Sequence, residues 1–169
     1  LGDVYKRQVL DESRLPAADL ECALRDIGEL GFGRDAGIGL GRYRLDAFEP
    51  TSLPSQANAN AWLTLAPCAP QGLAWETDRC FYTVFTRFGR HGDLGVHRGN
   101  PFKAPVLLTN TGAVLAPKSY ETLPFTGQGL GGRKADGEGL LSKAIPETVH
   151  QGYAPVVGIR LNRLAGEAA

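Results

Sequence analysis

The strongest strand signals in this 169-residue chain lie in one continuous stretch, CFYTVFTRFGRHGDLGVHRGNPFKAPVLLTNTGAVLA, residues 80–116. Residues 80–88 are dense in aromatic and β-branched side chains, which favour extended backbone. Residues 104–109 and 113–116 flank Asn110-Thr111-Gly112, a sequence typical of a hairpin turn. We therefore predict a strand over 80–88, followed by a hairpin built from 104–109 and 113–116.

Further strands are predicted on both sides of this stretch. Residues 60–66 and 120–125 have strand composition, and residues 153–161 (YAPVVGIRL) form the predicted closing strand. Pro155 favours an edge position for that strand or a place among its first residues, because proline cannot donate to a ladder. Residues 126–132 (TGQGLGG) are a predicted glycine-rich loop, so the segment after residue 55 is expected to be mostly β.

The N-terminal part has a different pattern. Residues 16–30 (PAADLECALRDIGEL) have the apolar spacing of an amphipathic helix, with Pro16 in its first turn and Gly31 as its stop. A glycine-rich loop over 31–41 and an alternating segment over 42–48 follow, and the latter is a predicted strand. Residues 49–59 (EPTSLPSQANA) have linker composition and are expected to contain a domain boundary.

The first residues are expected to be foreign to the fold. The chain contains no Met, and residues 1–8 (LGDVYKRQ) resemble the translation of a sequencing-library adapter. We therefore expect a fragment that lacks its natural start.

The charge is unevenly distributed although the formal net charge is zero. Residues 79–134 contain eight basic and two acidic residues, a net charge of +6, whereas residues 9–30 are acidic. A local basic stretch attracts phosphate even in a neutral protein, although a solvated sheet face can carry the same charge.

Three cysteines without a CxxC pair argue against a disulfide framework or a cysteine zinc site, and they suit a cytoplasmic protein. No apolar run reaches the ~20 residues of a membrane helix.

Several segments carry candidate chemistry. Residues 87–93 (RFGRHGD) place two Arg, a His and an aromatic at the predicted end of a strand, a combination that suits RNA and also occurs in ordinary charged loops. Lys103 lies between two prolines, and residues 141–155 concentrate hydrogen-bond donors. Glycine loops let backbone N–H groups approach a phosphate, although many are only tight turns. Neither loop has the ending of a P-loop.

Metal and acid–base chemistry have weaker support. A metal site would need His91 and His97 to converge with a carboxylate such as Asp93, and none is expected. His91 or His150 could serve as a general acid or base, but no nucleophile–base pair is visible in the sequence.

Five motifs together resemble a known family. The combination of GFGRDAGIGLGRYRL, FTRFGRHGD, NPFKAPVLL, FTGQGLGG and LSKAIPETVHQGYAPVV is similar to the Csm four-type subunit of type III-A CRISPR effector complexes, of the RAMP superfamily. The resemblance runs from about residue 20 to 159. It implies an α+β, ferredoxin-like fold akin to RNA-recognition modules, with residues 9–50 as the tail of an N-terminal RAMP domain and residues 55–169 as the C-terminal one.

The resemblance implies binding rather than catalysis. The expected function is a non-catalytic subunit that holds the repeat-derived 5′ tag of the guide RNA, beside the large polymerase-like subunit and the first backbone subunit, with no cofactor. The alternative is a RAMP-type endoribonuclease that processes guide RNA with His91 or His150 as general base. The acidic helix is expected to face protein or solvent.

The RNA-binding residues expected from motif membership and chemistry fall into two groups. The glycine loops contribute Gly31, Gly33, Arg34, Gly39, Gly41, Gly127, Gly129, Gly131 and Gly132. Side-chain contacts are expected from Arg87, Arg90, His91, Lys103, Lys143, His150 and Gln151.

Overall fold

The computed structural model describes residues 6–33, 35–70, 72, 74–92, 97 and 99–162. Over those residues the protein is a mixed α+β structure with one α-helix and antiparallel strands, as the sequence predicts. It separates into two compact units, Leu1–Leu53 and Pro54–Ala169, and the separation lies within the 49–59 segment of linker composition. No helix in this described part has the length and apolar composition needed to cross a bilayer.

The first unit is built on helix α1, Ala17–Leu30, which confirms the predicted helix. The helix follows Pro16 and ends at Gly31, whose N–H donates to the Ile27 carbonyl at 2.8 Å. Gly31 has a φ of 99°, a conformation that residues with a Cβ rarely adopt, so the helix stops there.

The predicted strand over residues 42–48 is wrong. The segment belongs to no strand, and Tyr43 is hydrogen-bonded to the helix instead. The Tyr43 N–H donates to the Gly28 carbonyl at 3.1 Å, and its hydroxyl donates to the Leu24 carbonyl at 2.7 Å. Alternating side chains mark an extended segment with two different faces, but a strand also needs a partner ladder, and none is present among the described residues of this unit.

The second unit contains eight described strands. They are β1 Ala61–Thr64, β2 Val84–Arg90, β3 Phe102–Thr109, β4 Val114–Leu115, β5 Phe125–Gly127, β6 Leu130–Gly131, β7 Val149–His150 and β8 Tyr153–Ile159. They form an antiparallel sheet of order β4-β1-β8-β5 and two ribbons, β2-β3 and β6-β7.

The predicted hairpin of 104–109 with 113–116 is wrong, although both strands exist. β3 pairs with β2, whereas β4 pairs with β1 in the four-stranded sheet. Thr64 causes the switch, because its backbone oxygen accepts from the Gly112 N–H at 2.9 Å and its hydroxyl accepts from the Ala113 N–H at 3.0 Å. The turn therefore carries the chain from the ribbon to the sheet.

Two further strands are shorter than expected because parts of them have other partners. Residue 81 pairs with Val114, so the predicted 80–88 strand is divided and β2 begins only at Val84. The predicted 120–125 strand begins only at Phe125, since the backbone carbonyl of Glu121 accepts a hydrogen bond from the Trp62 indole N–H at 3.0 Å.

β8 is not an edge strand, since it lies between β1 and β5, but Pro155 is its third residue, which confirms the expected alternative of a place among the first residues of the strand. The Pro155 carbonyl accepts from the Leu65 N–H at 2.9 Å. In an antiparallel ladder the N–H and C=O of one residue face the same neighbour. The backbone N–H that proline lacks would therefore face Leu65, just beyond the end of β1. Because the ladder between β1 and β8 has already ended there, the missing N–H interrupts little of it.

Two apolar clusters hold the second unit together. One consists of the buried residues Cys68, Ala113, Leu115 and Ala154, packed by Ala66 and Trp75. The other consists of the buried residues Ala69, Val106 and Leu108, packed by Phe85, Leu130 and Leu141. This second cluster joins the β2-β3 ribbon to β6 and to the segment before β7, and so it sets the geometry of the site described next.

Candidate functional site

The predicted glycines of the first unit shape a closed loop. Gly41 accepts at its carbonyl from the Phe32 N–H at 2.9 Å, and a Cβ at Gly41 would overlap the Phe32 carbonyl oxygen. A Cβ at Gly31 would likewise meet the Leu40 carbonyl oxygen. Gly33 and Gly39 are exposed with open space around them. All four glycines have a φ between 73° and 104°, a conformation that favours glycine, so the loop geometry explains them without a ligand. Arg34 lies outside the described residues.

The second glycine run is mostly ladder rather than loop. Gly127 ends β5, Gly131 ends β6, and the Gly132 N–H donates to the Thr148 carbonyl at 2.9 Å. Gly129 is exposed between the two short strands. The backbone here pairs with residues 148–153, so this run chiefly orients β6 and β7.

Arg87 and Lys103 lie on the face of the β2-β3 ribbon that packs on the second apolar cluster. The register pairs Arg87 with Val106 and Gly89 with Lys103, with a shift between the two pairs. Because β3 contributes one more residue there, Lys103 is on the same face as Val106. A Cβ placed at Gly89 would lie 3.1 Å from Lys103 Cδ, so the glycine leaves room for the lysine stem.

His150 meets these two cations from the other ribbon. His150 lies in β7 and pairs with Leu130 of β6, and its buried Nε2 has no hydrogen-bond partner among the described residues. Burial lowers the pKa of His150 below its ordinary value, and the charges of Arg87 and Lys103 lower the pKa further. Three residues that the sequence suggested separately therefore lie beside one apolar cluster, where the two cations favour the neutral form of the imidazole.

His91 follows β2 and has a structural partner. Its N–H donates to the Pro101 carbonyl at 2.8 Å, and its buried Nε2 lies 2.8 Å from Ser142 Oγ. Ser142 Oγ also accepts from the Ile145 N–H at 3.1 Å. The pair fastens the end of the ribbon to the loop before β7, so the His91 ring faces the interior.

The remaining predicted contacts lie on the surface of that loop. Lys143 is exposed next to Ser142. Gln151 is exposed as well, and its side-chain amide donates to the Tyr153 carbonyl at 2.6 Å.

The opposite face of the β2-β3 ribbon combines exposed aromatic rings with a guanidinium. Arg90 pairs with Phe102 across the ladder, and its Cζ lies 5.9 Å from the centre of that ring. Phe88, two residues before Arg90 on the same strand, faces the same side, and its side chain is 78% exposed. Phe102 is 64% exposed. We call this surface, Phe88, Arg90 and Phe102, the outer ribbon face.

The two aromatic residues of this face were not among the predicted contacts. Both lie inside quoted motifs, FTRFGRHGD and NPFKAPVLL, and the strand alternation of FTRFGR already placed Phe88 and Arg90 on one side. Their exposure could not be inferred, because aromatic residues in strands usually face a core.

The ribbon is positive and carries no acidic residue. β2 and β3 contain Arg87, Arg90 and Lys103 and no Asp or Glu. No set of three or more His, Cys, Asp and Glu residues able to hold a metal is present in the described part of the chain, and Asp93 lies outside that part. The ribbon therefore offers cations on both faces and stacking surfaces on one.

No protein-family model matches this sequence, and no curated protein or solved structure matches it either.

Proposed function

We propose that this chain is a non-catalytic RNA-binding subunit of a type III-A CRISPR effector complex that holds the repeat-derived 5′ tag of the guide RNA. It would act in the cytoplasm in antiviral defence, in contact with the large polymerase-like subunit and the first backbone subunit. The five motifs that resemble the Csm four-type subunit support the assignment of partners.

One observation carries the RNA-binding part of the proposal: the outer ribbon face joins a guanidinium to two exposed phenyl rings on a ribbon without acidic residues. Unpaired RNA presents both phosphates and base faces, and proteins bind it through cations and aromatic stacking together. Double-stranded RNA hides its base faces, so this surface favours a single-stranded segment such as a guide tag.

The proposal includes a RAMP-type, ferredoxin-like identity for residues 55–169. A ferredoxin-like domain packs two helices on an antiparallel sheet in the order β-α-β-β-α-β. The described part of the second unit contains an antiparallel sheet of four strands and no α-helix. The finer fold assignment therefore rests on the quoted motifs rather than on the observed topology.

The test measures binding of fluorescent RNA by anisotropy. The full chain is expected to bind single-stranded repeat RNA more tightly than the same sequence in a duplex, with an affinity that falls as salt increases. Arg90→Ala is expected to reduce the slope of log affinity against log salt by about 0.7, the loss of one phosphate contact with a single strand. Lys118→Ala removes an exposed cation outside the ribbon and serves as the matched control. Equal binding of duplex and single strand, or equal slopes for Arg90→Ala and wild type, would contradict the proposal.

One observation favours a second candidate function, RNA cleavage. A neutral imidazole can accept a proton from a ribose 2′-hydroxyl, and the cations beside His150 could stabilise the charge that develops on phosphorus. Incubation with repeat RNA in EDTA separates the two functions. Products ending in a 2′,3′-cyclic phosphate that disappear in His150→Ala would establish cleavage, whereas intact RNA is expected if the chain only binds.

A further inference from the structure

The inner corner of the β2-β3 ribbon is distinct from the outer ribbon face. It contains Arg87, Lys103 and His150, which come from three strands of two ribbons. Arg87 pairs with Val106 and His150 with Leu130, and Val106 and Leu130 pack together in the second apolar cluster. We call these three residues the inner corner.

Within the part of the chain that the structure describes, the inner corner has positive charge without an ion-pair partner. Neither Arg87 nor Lys103 forms an ion pair with a carboxylate of the described residues. Glu147, the acidic residue just before β7 in the sequence, forms an ion pair with Arg133. β6, the partner of β7, contributes only Leu130 and Gly131, which do not titrate.

The corner also has an unmet hydrogen-bonding requirement. His150 Nε2 is buried and has no hydrogen-bond partner among the described residues, and buried polar atoms in folded proteins nearly always have one. An anion between the three side chains would accept from all of them and would offset the repulsion between the two cations. Because Nε2 is itself buried, contact with an anion requires the side chains that cover it to move.

We propose that Arg87, Lys103 and His150 form a phosphate-binding subsite that takes one phosphate group of the bound RNA. This proposal rests on the function proposed above and deepens it. A phosphate carries several acceptor oxygens in different directions, and this arrangement suits donors that arrive from three different strands. The outer ribbon face then holds bases by stacking, while the inner corner holds the backbone at one defined position.

The subsite makes phosphate binding sensitive to pH. The free site holds His150 neutral through burial and through Arg87 and Lys103, whereas a bound phosphate favours the imidazolium and raises the pKa of His150. Binding therefore takes up a proton. The affinity is expected to rise as pH falls between the bound and the free pKa, by at most about tenfold per pH unit for one proton.

The first experiment uses inorganic phosphate, which needs no RNA-binding surface. The chain has three histidines, so their ring protons can be followed individually by NMR during a pH titration. Phosphate is expected to raise the pKa of His150, whereas chloride at equal ionic strength does not. Exposed His97 is the internal control, and Arg87→Gln and Lys103→Gln are expected to remove the phosphate effect. A His150 pKa that is the same in phosphate and in chloride would overturn the subsite.

The second experiment uses RNA and separates the two proposals. His150→Gln is expected to flatten the rise in RNA affinity at low pH without abolishing binding, because the outer ribbon face remains. A comparison of RNA carrying a 5′ phosphate with RNA carrying a 5′ hydroxyl shows whether a terminal or an internal phosphate occupies the corner. If phosphate raises the pKa of His150 but no RNA binds, the subsite stands and the RNA function fails. If RNA binds with the same pH profile in His150→Gln, the RNA function stands and the subsite fails.

Discussion

Phe88 allows binding and folding to be tested separately, because it lies on the opposite face of β2 from Phe85. Its side chain is 78% exposed, so Phe88→Ala is expected to change the free energy of unfolding by no more than about 0.5 kcal/mol. Stacking of one base on an aromatic ring contributes ~1–3 kcal/mol. At about 1.4 kcal/mol per tenfold, Phe88→Ala should weaken binding of single-stranded RNA by about fivefold to about 150-fold.

Phe85→Ala is the matched control from the same strand. Phe85 is half-buried against Val106 and Leu108. Truncation of a fully buried Phe costs ~3–5 kcal/mol, so a half-buried one should cost about 2 kcal/mol. For a unit of this size, at about 4 °C per kcal/mol, the melting temperature should fall by about 8 °C.

The assays are anisotropy for the dissociation constant and circular dichroism for the melting temperature. Phe88→Trp retains a ring and should bind like wild type, whereas Phe88→Leu retains apolar surface but no ring and should bind like Phe88→Ala. The reasoning is refuted if Phe88→Ala binds RNA with wild-type affinity, or if the Leu and Trp variants bind equally well.

Three further predictions concern the fold and its titrating groups. Gly41→Ala places a Cβ against a backbone carbonyl at a φ of 73°, so it should destabilise the first unit by ~1–3 kcal/mol, measured by melting of the helix. Gly37→Ala is the control and should not destabilise the unit, because the space around Gly37 is open. Exposed Cys22 should react rapidly with a thiol reagent, whereas buried Cys68 should react only on unfolding, because burial raises the pKa of its thiol. Equal reaction rates of the two cysteines would contradict this prediction. Because the folded pKa of His150 lies below 6.5, urea denaturation should show a free energy of unfolding that decreases as pH falls below about 6.5, and the decrease should be smaller in His150→Gln.

Elements whose signals are local could be predicted from the sequence. Pro16, the apolar spacing after it and Gly31 specify the helix with residues that lie within or beside it, and the structure has that helix at Ala17–Leu30. The strand character of 61–64, 104–109 and 153–159 likewise follows from local composition, although β3 begins two residues before the predicted start, at Phe102. The change from an acidic N-terminal segment to a basic central stretch can likewise be read from the sequence.

Strand pairing could not be predicted, because it depends on distant residues. The turn at 110–112 has hairpin composition, yet the N–H groups of Gly112 and of Ala113, which follows it, donate to Thr64, some fifty residues away in sequence. Pro155 is tolerated inside the sheet only because β1 ends opposite it, a fact that no neighbouring residue reveals.

The candidate site likewise combines features that the sequence predicts with features that only the tertiary structure decides. Residue chemistry was enough to single out Arg87, Lys103 and His150 as three isolated polar positions. Only tertiary structure brings them together, since a register shift turns Lys103 to the face of Arg87 and the pairing of β6 with β7 positions His150. The exposure of Phe88 and Phe102 is tertiary as well, because which face of a ribbon is covered depends on what packs against the other.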